Sequence, residues 1–195
     1  MKPTNKRDKL IQVGTDIIAQ QGFKAASINQ ILTTAGIPKG SFYYYFSSKE
    51  DFGLAIIESF AQQYQNRIES TLKDTQFSPL ARLRNYFELK IADMKNCQCT
   101  DGCLIGNLAQ ELSAQNELFR DRLNQVFANW EKLFIQCLQA ASETGEIRSD
   151  SNLDVLANFI LSSWEGAILQ AKVTKSTSPM ENFVKILFER ILISS

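Results

Sequence analysis

At 195 residues the chain has the length of one large domain or two small ones, and it can bury roughly 70% of its unfolded surface, so a core forms without disulfide or metal staples. Lys plus Arg equal Asp plus Glu at 21 each, which excludes a bulk field drawing the whole protein to nucleic acid or an anionic membrane. Histidine is absent, which removes the commonest general base and a common metal ligand; the expectation is a non-enzyme with no metal and no cofactor.

The charge is unevenly placed. Between Met1 and Glu50, Lys2, Lys6, Arg7, Lys9, Lys24, Lys39 and Lys49 outweigh Asp8, Asp16 and Glu50, so this stretch is net +4 and the remainder −4. A basic head on an acidic body suits a protein of which one end meets phosphates. The start shows no signal-peptide core and no run of about 18 apolar residues occurs, so a cytoplasmic protein without membrane contact is expected. In that compartment Cys97, Cys99, Cys103 and Cys137 stay reduced by default.

Apolar positions recur at helical spacing and strict alternation is missing, which predicts an all-α protein. The first helix runs from about Lys6 to Gln21 and ends at Gly22, expected as a left-handed cap. Ser27 caps a short second helix that stops at Gly36, and Pro38 precedes a brief third helix from Lys39 to about Phe46. Longer helices are predicted at about Ser48–Lys73, Leu80–Lys95, Leu104–Ser113, Glu117–Glu143, Asn152–Thr174 and Pro179–Ile193. The change of charge sign near Ser47 divides the chain into a helix-turn-helix domain at 1–47 and a helical effector-binding and dimerisation bundle at 48–195.

The segment Ala35-Gly36-Ile37-Pro38-Lys39-Gly40-Ser41-Phe42-Tyr43-Tyr44-Tyr45-Phe46-Ser47-Ser48-Lys49-Glu50, with Gly22-Phe23 and Ser27-Ile28 before it, resembles the DNA-binding signature of the tetracycline-repressor (TetR) family from about Lys6 to Leu54. The resemblance implies a homodimeric transcriptional repressor bound to a palindromic operator on double-stranded DNA. It places Tyr43 and Lys49 on phosphates, with Ser27 at a helix start, while Lys39, Ser41 and Tyr44 lie on the exposed side of the reading helix and Gly40 clears room for close approach. Phe42 and Phe46 read as core. The alternative for Tyr43-Tyr44-Tyr45-Phe46 is an aromatic core stripe, but four consecutive aromatics cannot all face inward. Tyr45 departs from the histidine that many relatives carry.

Past Leu54 the resemblance thins. Tyr64, Phe87, Lys90, Asn107, Leu108, Trp130 and Trp164 are candidates to line an effector pocket, with Gln110 and Glu111 as further polar groups; ordinary bundle core is the competing reading of the apolar ones. Cys97, Cys99 and Cys103 put three thiols into seven residues around a turn and a helix start, where a thiolate would be stabilised. This stretch resembles the subgroup that contains the repressor of N-ethylmaleimide reductase, which implies release by an electrophile or oxidant, with Cys97 or Cys99 resolving an oxidised Cys103. The alternatives stay open: an inert Cys103 in a core with a non-covalent hydrophobic effector, or three thiolates on a metal at a spacing that matches no familiar zinc module. Cys137 reads as structural.

By the same resemblance the last two helices pair with their copies, through Phe159, Gly166, Ala167, Phe183 and Leu187; intramolecular packing is the competing reading. Release is expected as a population shift in which the helix at Ser48–Lys73 moves as a lever and changes the separation of two reading heads. An enzyme using the apolar cavity and a helical protein that binds DNA without an effector are the readings from other classes; effector-sensitive binding to a palindrome separates the first reading from the last.

Overall fold

The computed structural model describes residues 5–192, so Lys2 of the basic head and Ile193 of the last predicted helix lie outside the described residues. The described residues form nine α-helices and no strand: α1 Lys6–Gln21, α2 Ile28–Ala35, α3 Phe42–Tyr45, α4 Lys49–Leu72, α5 Pro79–Asn96, α6 Leu104–Leu112, α7 Glu117–Glu143, α8 Leu153–Thr174 and α9 Ser178–Ile186. A 3₁₀ turn at Lys39–Ser41 leads into α3, and a π turn at Leu187–Ile191 follows α9. The all-α reading therefore holds.

Local chemistry sets most helix ends. Asn5, Ser27 and Asn152 accept from the backbone N–H three residues on, capping α1, α2 and α8. The Ser48 hydroxyl accepts from Asp51 N–H at 3.0 Å, capping α4. Gly36 closes α2 in the left-handed conformation, where its N–H reaches Thr33 O and that of Ile37 reaches Leu32 O. Gly22 differs from expectation: φ is 85° but ψ is 164°, outside the left-handed well, and it leads into a turn in which Ala26 N–H bonds Gly22 O at 3.3 Å. The final helix also departs. Leu192 N–H bonds Leu187 O at 2.9 Å, widening the last turn from the i→i+4 pattern to i→i+5.

Packing divides the chain into two compact units, Met1–Gln63 with Leu104–Gln125 and Tyr64–Cys103 with Val126–Ser195. In the first, Phe42, Phe46 and Phe52 interlock, with ring centroids 4.8–5.4 Å apart, over Leu10, Ile31 and Ile56. Burying each such ring contributes roughly 2–3 kcal/mol. Two glycines admit these rings: a Cβ on Gly14 would lie 2.3 Å from Phe52 Cζ, and one on Gly53 would lie 2.5 Å from Phe23 Cε2. In the second unit Phe87 is central, with its centroid 4.7 Å from that of Trp164, 5.3 Å from Phe183 and 6.1 Å from Phe134. No described helix is long and apolar enough to cross a membrane.

Candidate functional site

In the first unit a very short helix is pinned from below and bare above. Phe42 and Phe46 are buried, so α3 is fixed to α4 through Phe52, while Tyr43 and Tyr44 are 70% and 84% exposed. Lys39 and Gly40 beside them are exposed, and Ser41 and Tyr45 are half-buried. The aromatic run thus splits between core and surface. A Cβ on Gly40 would meet nothing within 4 Å, so the chain itself makes no demand for glycine there.

The turn that carries Phe23 and Lys24 is held from α6. Glu111 accepts the Phe23 and Lys24 N–H groups, each at 2.8 Å, and its Oε2 would lie 3.0 Å from a Cβ on Gly22. Both carboxylate oxygens of Glu111 are thus engaged by this turn. Lys49 Nζ donates to Lys24 O at 3.1 Å and lies 4.9 Å from the Phe23 ring centroid. Burial holds its ammonium below the usual lysine range, against the attraction of Glu111 and Glu50.

The second unit carries the thiol loop and several of the other candidates. α5 ends in a Schellman turn, with Gln98 N–H on Lys95 O at 3.0 Å and Cys99 N–H on Met94 O at 2.9 Å. Gln98 and Cys99 have φ of 52° and 54° without being glycine, which costs about 1 kcal/mol each. Lys172 Nζ on α8 donates to Asp101 O at 3.5 Å and Lys175 Nζ, at the C-cap of α8, to Cys99 O at 3.3 Å, holding the loop's carbonyls. Cys99 is buried, Cys97 Sγ donates to Met94 O at 3.3 Å, and Cys103 is half-buried.

The Cys103 thiol donates to the carboxyl of Glu165 on α8. Burial raises that carboxyl from the ordinary range to about 7, against the opposing effect of the thiol. Tyr64 and Tyr86 stand near both groups and share a hydrogen bond between hydroxyls at 3.0 Å. Burial, more than any neighbour, pushes both phenols well up. Lys90 Nζ lies 4.3 Å from the Tyr64 centroid and 3.2 Å from Asp93, which also pairs with Arg67 at 2.7 Å. Burial, then Arg67, lowers the Lys90 ammonium. Trp130 stacks on Tyr64 at 4.7 Å. Trp164 is 1% exposed and its indole N–H meets no acceptor. Cys137 is separate: it donates to Pro79 O at 3.3 Å and burial pushes its thiol up to about 11.

Residues 10–56 match the family "Bacterial regulatory proteins, tetR family", and residues 79–187 match "Tetracyclin repressor-like, C-terminal domain". The chain is 38% identical over 195 residues to the HTH-type transcriptional repressor DhaR of Mycobacterium sp. (strain GP1), covering 100% of this chain and 96% of that one. The chain belongs to the TetR family. This TetR-family regulator superposes on the crystal structure of regulatory protein TetR from Rhodobacter sphaeroides with a TM-score of 0.88 at 35% identity, covering 93% of this chain and 96% of that one. On the reduced form of Escherichia coli NemR the TM-score is 0.88 at 28% identity, covering 97% and 98%. The family assigns the chain to transcription regulation through DNA binding, and its helix-turn-helix, α2 to α3, lies inside the first matched segment.

The expected residues are brought together only in part. Tyr64, Phe87, Lys90, Trp130 and Trp164 fall in the second unit, whereas Asn107 and Leu108 belong to α6 in the first, with Leu108 buried. Of the residues expected at a contact between copies, Phe159 and Gly166 are exposed, but Leu187 and Ala167 are buried. Phe183 packs between Phe87 and Trp164, because α8 and α9 close on each other through these side chains. The outward face of α8 is instead Val155, Phe159, Gly166, Leu169 and Val173, a stripe at helical spacing. Glu165 and Tyr86 were not singled out for the site by sequence reasoning. The signal for Glu165 was a lone charge between Asp154 and Lys172 on an otherwise uncharged helix.

Proposed function

We propose that this TetR-family regulator is a repressor that binds a palindromic operator as a homodimer and is released by a small effector or by modification of Cys103. The observation that carries DNA reading is the bare pair Tyr43 and Tyr44 above the buried Phe42 and Phe46. Lys39, Ser41 and Lys49 supply donors to phosphates and bases, Ser27 offers its hydroxyl, and Gly40 leaves room for the DNA backbone. The reading head is 1–47 and the effector and dimerisation body 48–195. The exposed α8 stripe, with Ile186 beyond it, offers an apolar surface that a second copy would bury.

Release works as a shift between two head separations, with α4 as the lever, since this helix begins in the first unit and continues into the second. A coupling of about 1–3 kcal/mol changes operator affinity roughly 5- to 150-fold. The test is fluorescence anisotropy on the protein's own upstream DNA, with and without alkylation, in wild type and Cys103→Ser, beside sedimentation to read the oligomer. Loss of binding in the alkylated wild type alone supports the thiol switch. Equal binding in all four samples removes it, and a monomer on DNA removes the dimer.

A second reading, a non-covalent hydrophobic effector with structural cysteines, is favoured by Trp164. Its buried N–H lacks an acceptor among Phe87 and Phe183, at a cost of about 1–3 kcal/mol that a ligand oxygen would relieve.

A further inference from the structure

The thiol of Cys103 is not isolated. It points its hydrogen at a carboxyl that α8 carries into the second unit, and Tyr64 and Arg67 from α4 and Tyr86, Lys90 and Asp93 from α5 complete the ionisable surroundings. Lys90 and Arg67 are paired with Asp93, and Lys172 and Lys175 are occupied by the loop's own carbonyls. The chain has no histidine, and Glu165 is in hydrogen-bond contact with the thiol and can take its proton.

We propose that Glu165 is the proton acceptor that activates Cys103 toward neutral carbon electrophiles, so that the reactive unit is a thiol–carboxyl pair; this rests on the reading above that Cys103 is the residue modified. With an α,β-unsaturated amide the step balances within the pair. The S–H proton passes to a Glu165 carboxylate oxygen while sulfur bonds the β-carbon and the C=C π electrons move onto the α-carbon and carbonyl. Glu165 then returns the proton to the α-carbon, leaving a thioether and a regenerated carboxylate with no change in oxidation state. Burial of Glu165 serves this: its affinity for a proton lies much closer to that of a thiol than an ordinary carboxylate's does.

The test is the rate of acrylamide addition at Cys103 of the full chain from pH 5.5 to 9, read by intact mass and peptide mapping, in wild type, Glu165→Gln and Glu165→Asp. The wild-type rate should rise through an inflection near pH 7. Glu165→Gln should lose that inflection and react about 10-fold slower or more at pH 7.5, within the range of general-base effects, while Glu165→Asp should keep an inflection. A Glu165→Gln protein that reacts as fast as wild type or faster overturns the proposal, because the carboxyl would then only be withholding the proton. A wild-type profile with no inflection below pH 8 overturns it too, whether or not the variants fold. Operator binding of the alkylated protein is scored separately: its persistence removes Cys103 as a switch, whereas the rate profile alone decides the role of Glu165.

Discussion

Truncating Glu111 to Ala should loosen the turn between α1 and α2 by an amount that the geometry sets. The carboxylate accepts two backbone N–H groups at 2.8 Å, that of Phe23 half-buried and that of Lys24 exposed. Hydrogen bonds to a charged acceptor contribute about 1.5–3 kcal/mol when shielded from water, and the exposed one less, so the pair together is worth about 2 kcal/mol. That is about 30-fold in the local opening equilibrium. Amide hydrogen exchange reads it directly: Phe23 and Lys24 should lose protection by about that factor in Glu111→Ala and by less in Glu111→Gln, which keeps one oxygen. Because the same turn carries the carbonyl that holds Lys49, operator affinity should fall with it. Unchanged protection of both amides, with an unchanged urea midpoint, would refute the claim that α6 braces the reading head.

Glu165 makes a pH prediction of definite sign. Its folded pKa of about 7 lies above the unfolded value, so folding is unaffected below about pH 4.5 and loses stability as pH rises from there through 7. Glu165→Gln should therefore gain on wild type above pH 7, by up to about 3 kcal/mol less whatever its solvent contact screens, with no such gain at pH 4; urea melts at the two pH values check it. Replacing Tyr43 and Tyr44 by Ala should weaken operator binding by about 10-fold or more with the thermal midpoint unmoved, since both rings are largely exposed; a falling midpoint would place them in the core. Gly14→Ala should destabilise by about 1–3 kcal/mol in urea melts, because the new Cβ collides with the packed Phe52 ring, whereas Gly40→Ala should leave stability unchanged and act only on DNA binding.

Much of the helical frame was legible because its signals are local. Ser27 and Gly36 bound the helix they were expected to bound, and α1 and α7 carry their predicted limits. What escaped depends on distant partners or has no residue signature. Gln98 closes α5 in a conformation that usually belongs to glycine, and the π turn after α9 follows from packing with no breaker residue to announce it. Glu111 looks like any polar residue on an amphipathic helix, because its partner lies 88 residues away. Leu187 and Ala167 show the same limit from the apolar side. Spacing puts them on a helix face but cannot say whether that face closes on its own chain or on another.

The first unit is discontinuous: it needs Leu104–Gln125 as well as Met1–Gln63. The acceptor for the Phe23 and Lys24 amides and the Phe119 ring that packs 5.1 Å from Phe23 both come from that later stretch. During synthesis, the first unit therefore remains unfinished when Lys49, at the start of α4, leaves the ribosome. About sixty more residues must emerge before the braces that order it exist, at ordinary elongation rates a delay of several seconds. The nascent helix-turn-helix is in this way kept from its full form until more than half of the chain has been made.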